Sequence, residues 1–316
     1  MWLKFGVAPD GQLVCVEDVG SGKTELKCSY CYGGLTAKKG KVKQHHFAHS
    51  SATCLPVANC DFPILPLYDN FNIYLSRKDL AQLKLLWKGY GSINYPISPG
   101  LITPGLLKAF MFCKNVYLIP PAYEFTNLGK IPIGALEFSL FNEVQEPLLL
   151  KKLLKLELAA KYALYKNAPD KLYRLTDLTL YRAQFQRILS CSLYFLEIQT
   201  HIGTLYKIGV TTRPIQQRLA EIEADLLIPY QTVEIQILGT WAHRGNVELY
   251  FKHRYHNYNY RIGSLTEYFK FGAADANTVL HELQQMKDKV LSTGEIDIIK
   301  DNISLSQVAI GLVFDF

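Results

Sequence analysis

The pattern of apolar and polar positions is most clearly organised into elements from Leu193 to Phe269. Ser192–Gln199 reads SLYFLEIQ, a strand rich in aromatic and branched residues. The turn THIGT leads to a second strand, LYKIGV, over Leu205–Val210. The spacing then becomes helical. In RPIQQRLAEIEADL, Ile215, Leu219, Ile222 and Leu226 form a buried stripe with Arg218 at its flank. VEIQILGTW reads as a third strand. NVELYFKHRYH reads as a second helix, with Val247, Tyr250, Phe251 and Arg254 on one face and Glu248 at its border, and SLTEYFKF closes the unit. Both charges can then line a groove beside the sheet; the plainer alternative is that they pair with each other at helix edges.

The pattern before residue 190 is more broken. MWLKFGVAPDGQLVCVEDV reads as a β-hairpin turning at Asp10-Gly11. GSGKTE imitates a phosphate-binding loop, but Glu17 stands where that motif has its first Gly, and Cys28 arrives before a long helix can form. Prolines 63, 66, 96, 99, 104, 120 and 121 predict short elements. Leu80, Leu83 and Leu86 predict a helix over Arg77–Lys88, and AFMFCKNVYLIP reads as a buried strand. From Glu146 to Ala168 the Leu and Lys spacing predicts a long packing or bridging helix, with a partner or dimer helix as the alternative; Pro147 is placed in its first turn. A further helix is expected over Asp170–Ser190.

Composition narrows the class. Of 316 residues, 49% are hydrophobic and 20% charged, which predicts globular domains. The net charge of +6 is too mild to identify a partner by itself, but residues 1–60 carry seven Lys against four acidic side chains. No signal peptide is visible, and no apolar run, GLVFDF included, approaches the roughly 20 residues of a membrane span. The expectation is a cytoplasmic protein with reduced thiols, in which clustered Cys more often bind metal than form disulfides.

Such a cluster lies in KCSYCYGGLTAKKGKVKQHHFAHSSATC. Cys28 and Cys31 have the two-residue gap that lets two thiolates reach one Zn²⁺, and His46 and His49 can close a tetrahedral set. Cys54 is an alternative ligand and His45 a weaker one; Cys15 and Cys60 read as packing residues. Lys38, Lys39, Lys41 and Lys43, between the two ligand pairs, are candidate phosphate contacts, as are Arg254 and Arg261 in HRYHNYNYR, read as helical over His253–Arg261.

The order CxxC, Lys/Gly-rich hairpin, HFAH resembles the N-terminal module of CoiA-like competence proteins. The Glu-x-Lys element of their nuclease core is missing: after Glu137, Ser139 stands in the place of Lys. The set Tyr194, Gly209, Arg218 and Glu248 resembles the GIY-YIG endonucleases, in particular the phage-type branch reading YKIG. That resemblance puts Lys207 at the second Tyr position, beside Tyr206. It implies a three-stranded antiparallel sheet flanked by helices and one Mg²⁺ or Mn²⁺ held by Glu248. Arg218 would steady the scissile phosphate, while Tyr194 and Lys207 position or deprotonate the attacking water. Two departures stand out: Ser192 replaces the first Gly, and Ile222 stands where many members have a His, leaving His243, His253 and His256 as local alternatives.

The expected architecture is therefore α+β and multidomain. A zinc-binding β-hairpin module spans 1–60, a mixed middle domain 61–185, and a nuclease domain with a C-terminal extension 186–316. The expected function is metal-dependent cleavage of DNA, in restriction, phage defence or a mobile element. The alternatives are a cleavage-dead DNA- or partner-binding protein and a repair or recombination nuclease acting on branched DNA.

Overall fold

The computed structural model describes residues 3–40, 45–59, 63, 65, 77–107, 113–245, 248–263, 265–286 and 288–300. In chain order its main elements begin with strands β1 (Phe5–Val7), β2 (Leu13–Cys15), β3 (Gly22–Lys27), β4 (Gly34–Lys38) and β5 (His46–His49). Helix α1 (Arg77–Gly89), the hairpin β6 (Cys113–Leu118) and β7 (Pro121–Phe125), and helices α2 (Phe141–Tyr165) and α3 (Lys171–Ser190) follow. The remainder is β8 (Ser192–Thr200), β9 (Gly203–Thr211), α4 (Ile215–Leu227), β10 (Val233–Ala242), α5 (Glu248–Arg254), β11 (Asn259–Ile262), β12 (Leu265–Phe269), α6 (Ala273–Gln284) and α7 (Thr293–Lys300). The class is α+β with several antiparallel sheets. Among the described residues no helix is long and apolar enough to cross a membrane.

These elements form two compact units. The first gathers 1–66, 150–187 and 291–316; the second gathers 67–149 and 188–290. Residues 150–187 thus cluster with the N-terminal region and 67–149 with the C-terminal sheet.

In the first unit a five-stranded antiparallel sheet runs β2-β1-β3-β4-β5. The Asp10-Gly11 turn forms as expected, with Gly11 at φ 83°, a conformation that costs glycine little. Along β4 and β5 the period of two sorts the side chains. Leu35, Ala37 and Phe47 are buried on one face, and the register Leu35–His49 puts His49 on that same face. Lys38 and His46 pair on the other.

In the second unit a five-stranded antiparallel sheet runs β10-β8-β9-β12-β11. Both faces are covered, which explains why β8 is apolar almost throughout rather than alternating. Tyr194, Leu196, Ile198, Leu205 and Tyr268 pack under α4 through Ile222 and Leu226. Leu193, Phe195, Tyr206, Ile208 and Phe269 pack on the other face with Phe251 of α5 and Val279 and Leu283 of α6. The expected α4 stripe is thus present.

Three expectations change. The sheet has five strands, not three, because Asn259–Ile262 and Leu265–Phe269 pair as a hairpin and β12 joins β9. The helix expected over His253–Arg261 stops at Arg254. Tyr260 pairs with Tyr268 across β11 and β12, so Arg261 sits on a strand. Helix α2 starts at Phe141, which puts Pro147 inside it rather than in the first turn; lacking an N–H, Pro147 cannot donate to the carbonyl four residues back.

Candidate functional site

Two clusters of chemically capable side chains stand out, one in each unit. In the first, Cys28, Cys31, His49 and Cys54 place their ligand atoms within 4.8 Å of one another. Cys28 Sγ lies 4.0 Å from Cys54 Sγ, and Cys31 Sγ lies 3.3 Å from His49 Nε2. Tetrahedral zinc with bonds of about 2.3 Å holds its donors about 3.8 Å apart, so the set fits the ion and can hold it. The turn is shaped for this: the Cys28 N–H donates to the Gly33 carbonyl at 2.8 Å, and the Tyr30 N–H points at Cys28 Sγ at 3.4 Å. Burial pushes the Cys28 thiol up to about 12, with the neighbouring thiols adding to the rise. A bound cation would relieve that cost.

His46 does not belong to this set, and Cys54 takes its place. The reason is local: HFAH is a strand, and residues three apart on a strand point to opposite faces. Cys54, immediately before a helical turn at Leu55–Ala58, approaches instead. The knuckle is tied to α3 by Tyr30, whose Oη donates to Asp177 Oδ1 at 2.6 Å; burial there lifts the Asp177 carboxyl to about 6.

Of the basic residues in the β4–β5 connection, Lys41 and Lys43 lie outside the described residues. Lys38 is exposed at the end of β4. Lys39 is engaged by the fold: its Nζ donates to the carbonyls of Val19 at 2.9 Å and Glu17 at 3.2 Å.

In the second unit, β8 and β9 set Tyr194 opposite Gly209. The Tyr194 ring lies across that glycine so closely that a Cβ on Gly209 would meet its Oη at 2.4 Å. Arg218, from α4, donates through Nε to Tyr194 Oη at 3.4 Å and through Nη1 to Glu221 at 2.7 Å. Glu221 also takes Arg213 on both of its oxygens. Lys207, opposite Leu196 on β9, is on the same sheet face as Tyr194 and is buried, with Nζ 4.6 Å above the Tyr268 ring.

The junction of this cluster is Glu267. Its Oε2 accepts from Lys207 Nζ at 2.8 Å and its Oε1 from Lys252 Nζ at 3.1 Å. Lys252 also reaches Glu248 Oε1 at 2.8 Å. The order is therefore Lys207, Glu267, Lys252, Glu248, with cation and carboxylate alternating. Lys252, then Lys207, hold the Glu267 carboxyl well below the usual range. Burial draws the Lys207 ammonium down, against the pull of Glu267. Burial also raises the Tyr194 phenol; Arg218 opposes this, and the charges of Glu248 and Glu267 add to it. These couplings bring all four expected residues, Tyr194, Lys207, Arg218 and Glu248, into one electrostatic neighbourhood.

Sequence reasoning passed over Glu267, Lys252 and Glu221. Two had a readable signal: Lys252 lies four residues after Glu248 and Glu221 three after Arg218, the spacings that bring helix side chains together. Of the basic candidates further on, Arg254 pairs with Glu282 at 2.5 Å and Arg261 Nε donates to the Gly263 carbonyl at 3.1 Å. His243 is hydrogen-bonded to the Leu189 carbonyl, and Ile222, where a His was looked for, is buried in the core.

The Mg²⁺ or Mn²⁺ expected on Glu248 meets a mixed environment. One carboxylate plus substrate phosphates can hold Mg²⁺. Here, however, the Glu248 carboxylate already has an ammonium on it, so the site fits a divalent ion only if Lys252 gives way.

Comparison with known families corrects the resemblances drawn above. No GIY-YIG model matches the Tyr194–Glu248 set, and no CoiA-like model matches the N-terminal residues. No curated protein and no solved structure matches the chain significantly. Residues 192–287, less than a third of the chain, match the model of the T5orf172 domain, which is associated with nuclease-like and DNA-binding proteins.

Proposed function

We propose that the 192–287 domain hydrolyses phosphodiester bonds in DNA, and that the Cys28–Cys54 cluster holds a structural zinc whose sheet helps to position the nucleic acid. The observation that carries the first part is the gathering of Lys207, Arg218 and Lys252 around Tyr194, Glu248 and Glu267. Three cations beside a buried phenol give a phosphate its counter-charge, and preorganised charge of this kind is the main demand of phosphoryl chemistry. Arg218 holds the scissile phosphate through the guanidinium edge it now offers to Glu221. Tyr194, fixed by Gly209 and Arg218, orients the attacking water, and Lys207 supplies charge beside it. Exposed Lys38, together with Lys41 and Lys43, contacts backbone phosphates.

One observation favours a second reading, a domain that binds DNA without cutting it. Each cation of the cluster is already matched with a carboxylate. Incubating the full chain with duplex, branched and single-stranded DNA in Mg²⁺ or Mn²⁺ separates the two. Cleavage by the parent and its loss in Arg218→Ala support the nuclease; binding without any cleavage supports the second reading. A preference for branched substrates would place the enzyme in repair or recombination.

A further inference from the structure

We infer that a cavity in the middle region binds a single unstacked nucleobase of DNA, with aromatic side chains stacking on its ring. The inference deepens the reading that the chain acts on DNA and rests on it. The cavity holds about 650 Å³, inside the range of about 300–1,000 Å³ usual for ligand pockets. It lies between α1, the β6–β7 hairpin and the first turns of α2, all within the second unit. Its aromatic lining is Trp87, Tyr95 and Phe125. Phe125 and Leu128 also belong to the buried core that includes Leu193 and Phe195 of β8, so the cavity is built on the same core as the 192–287 sheet. The aromatic wall is fixed by its backbone. Trp87 meets Phe125 edge to face, with ring centroids 5.1 Å apart. The chain at Gly91 passes so close that a Cβ there would meet the Trp87 ring at 2.3 Å and the Phe125 ring at 2.8 Å, so glycine is what lets the two rings keep this contact.

The lining selects the ligand. Trp87 is half-buried and Tyr95 is 62% exposed, so one ring belongs to the wall and the other to the rim. Every base has a π-face that such side chains accept, whatever its identity. Beside them stand Asn94 and Asn127, whose side-chain amides have no hydrogen-bond partner among the described residues. Amides of this kind pair with the donor and acceptor edge of a base. The charge of the lining disfavours a free polyphosphate, because Lys114 and Lys130 are offset by Glu124 and Glu143. Lys114 is already paired with Glu124 at 2.7 Å. Lys130 has no carboxylate partner among the described residues, which leaves one cation for one phosphodiester. An aromatic, edge-reading cavity with one spare ammonium suits one nucleotide of a DNA strand. A base inside a duplex cannot reach it, so the ligand is an unpaired base or one turned out of the stack.

The test compares two duplexes of equal length and phosphate number, one fully paired and one carrying a single 5-iodouracil opposite an abasic position. Fluorescence anisotropy reads the affinity of the full chain for each, with no Mg²⁺ or Mn²⁺ added. Equal phosphate number cancels the sequence-independent electrostatic attraction. The parent should bind the duplex with the unpaired base about tenfold or more tightly than the paired one. Tyr95→Ala should lose roughly fivefold or more in affinity for the unpaired duplex alone, the loss of one stacking contact. Tyr95→Phe keeps the ring and should match the parent. Irradiation should cross-link the iodouracil to Trp87 or Tyr95, as located by peptide mass spectrometry. Near-ultraviolet circular dichroism confirms that each variant is folded. Equal affinity of the parent for the two duplexes would overturn the inference and leave the DNA reading intact, as would a preference unchanged in Tyr95→Ala or cross-links that map outside the cavity. If the parent binds neither duplex, the DNA reading itself fails, and the inference with it.

Discussion

The two clusters gather polar side chains in opposite ways. Cys28, Cys31, His49 and Cys54 offer four donors within 4.8 Å of one another and no cation of their own. Tyr194, Lys207, Arg218, Glu248, Lys252 and Glu267 bring their own cations, and each carboxylate is already matched. The first cluster has the donors to hold a metal. The second pairs its own charges: Lys207 and Lys252 with Glu267, Lys252 with Glu248, and Arg218 with Glu221. Metal removal should accordingly damage the first unit and leave the second standing.

The largest effect expected concerns the first cluster. Structural zinc contributes on the order of 10 kcal/mol to small modules of this kind. Parent protein should carry one zinc, Cys54→Ser should lose it as completely as Cys28→Ser, and His46→Ala should keep it. Metal analysis combined with amide exchange over residues 22–59 reads this directly. Zinc lost in His46→Ala but kept in Cys54→Ser would reverse the assignment.

A smaller effect is expected at Gly209. A methyl group there meets Tyr194 Oη at 2.4 Å, so the ring must move off its strand partner and away from Arg218. Overpacking of this kind costs typically about 1–3 kcal/mol, and urea unfolding of Gly209→Ala should show it. No loss of stability would mean that the Tyr194 ring is not held as described.

The smallest is a pH effect. Because the cations around Glu267 depress its carboxyl below the ordinary value of 4.5, its stabilising contribution is complete above that pH and is lost as pH falls below it. The stability difference between parent and Glu267→Gln should therefore shrink as pH drops from 7 to 3. A difference that stays constant would leave Glu267 without its ionic role.

What was legible in the sequence follows from what sets each feature. The α4 stripe, the β8–β9 hairpin and the Cys28-Cys31 knuckle depend on local spacing, and local spacing is visible in a chain. Cys54 was legible only as an alternative to His46, because whether HFAH is helix or strand decides if His46 and His49 share a face, and its strand pairing with β4 is a long-range event. The fourth and fifth strands were hidden for the same reason: Asn259–Ile262 follows a helix directly and becomes a strand only by pairing with β12. Glu267 lay in plain view within SLTEYF, but only the approach of β9 and α5 reveals that Lys207 and Lys252 meet on it.

Single-turnover cleavage of DNA by the parent and by Glu248→Gln in Mn²⁺ tests the charged cluster of the 192–287 domain most directly. The substitution keeps shape and removes the charge. The variant should bind DNA at least as well as the parent yet cut it about a hundredfold or more slowly, the loss typical for one preorganised stabilising group. Equal cutting rates in the two proteins would contradict that expectation and place the chemistry elsewhere in the chain.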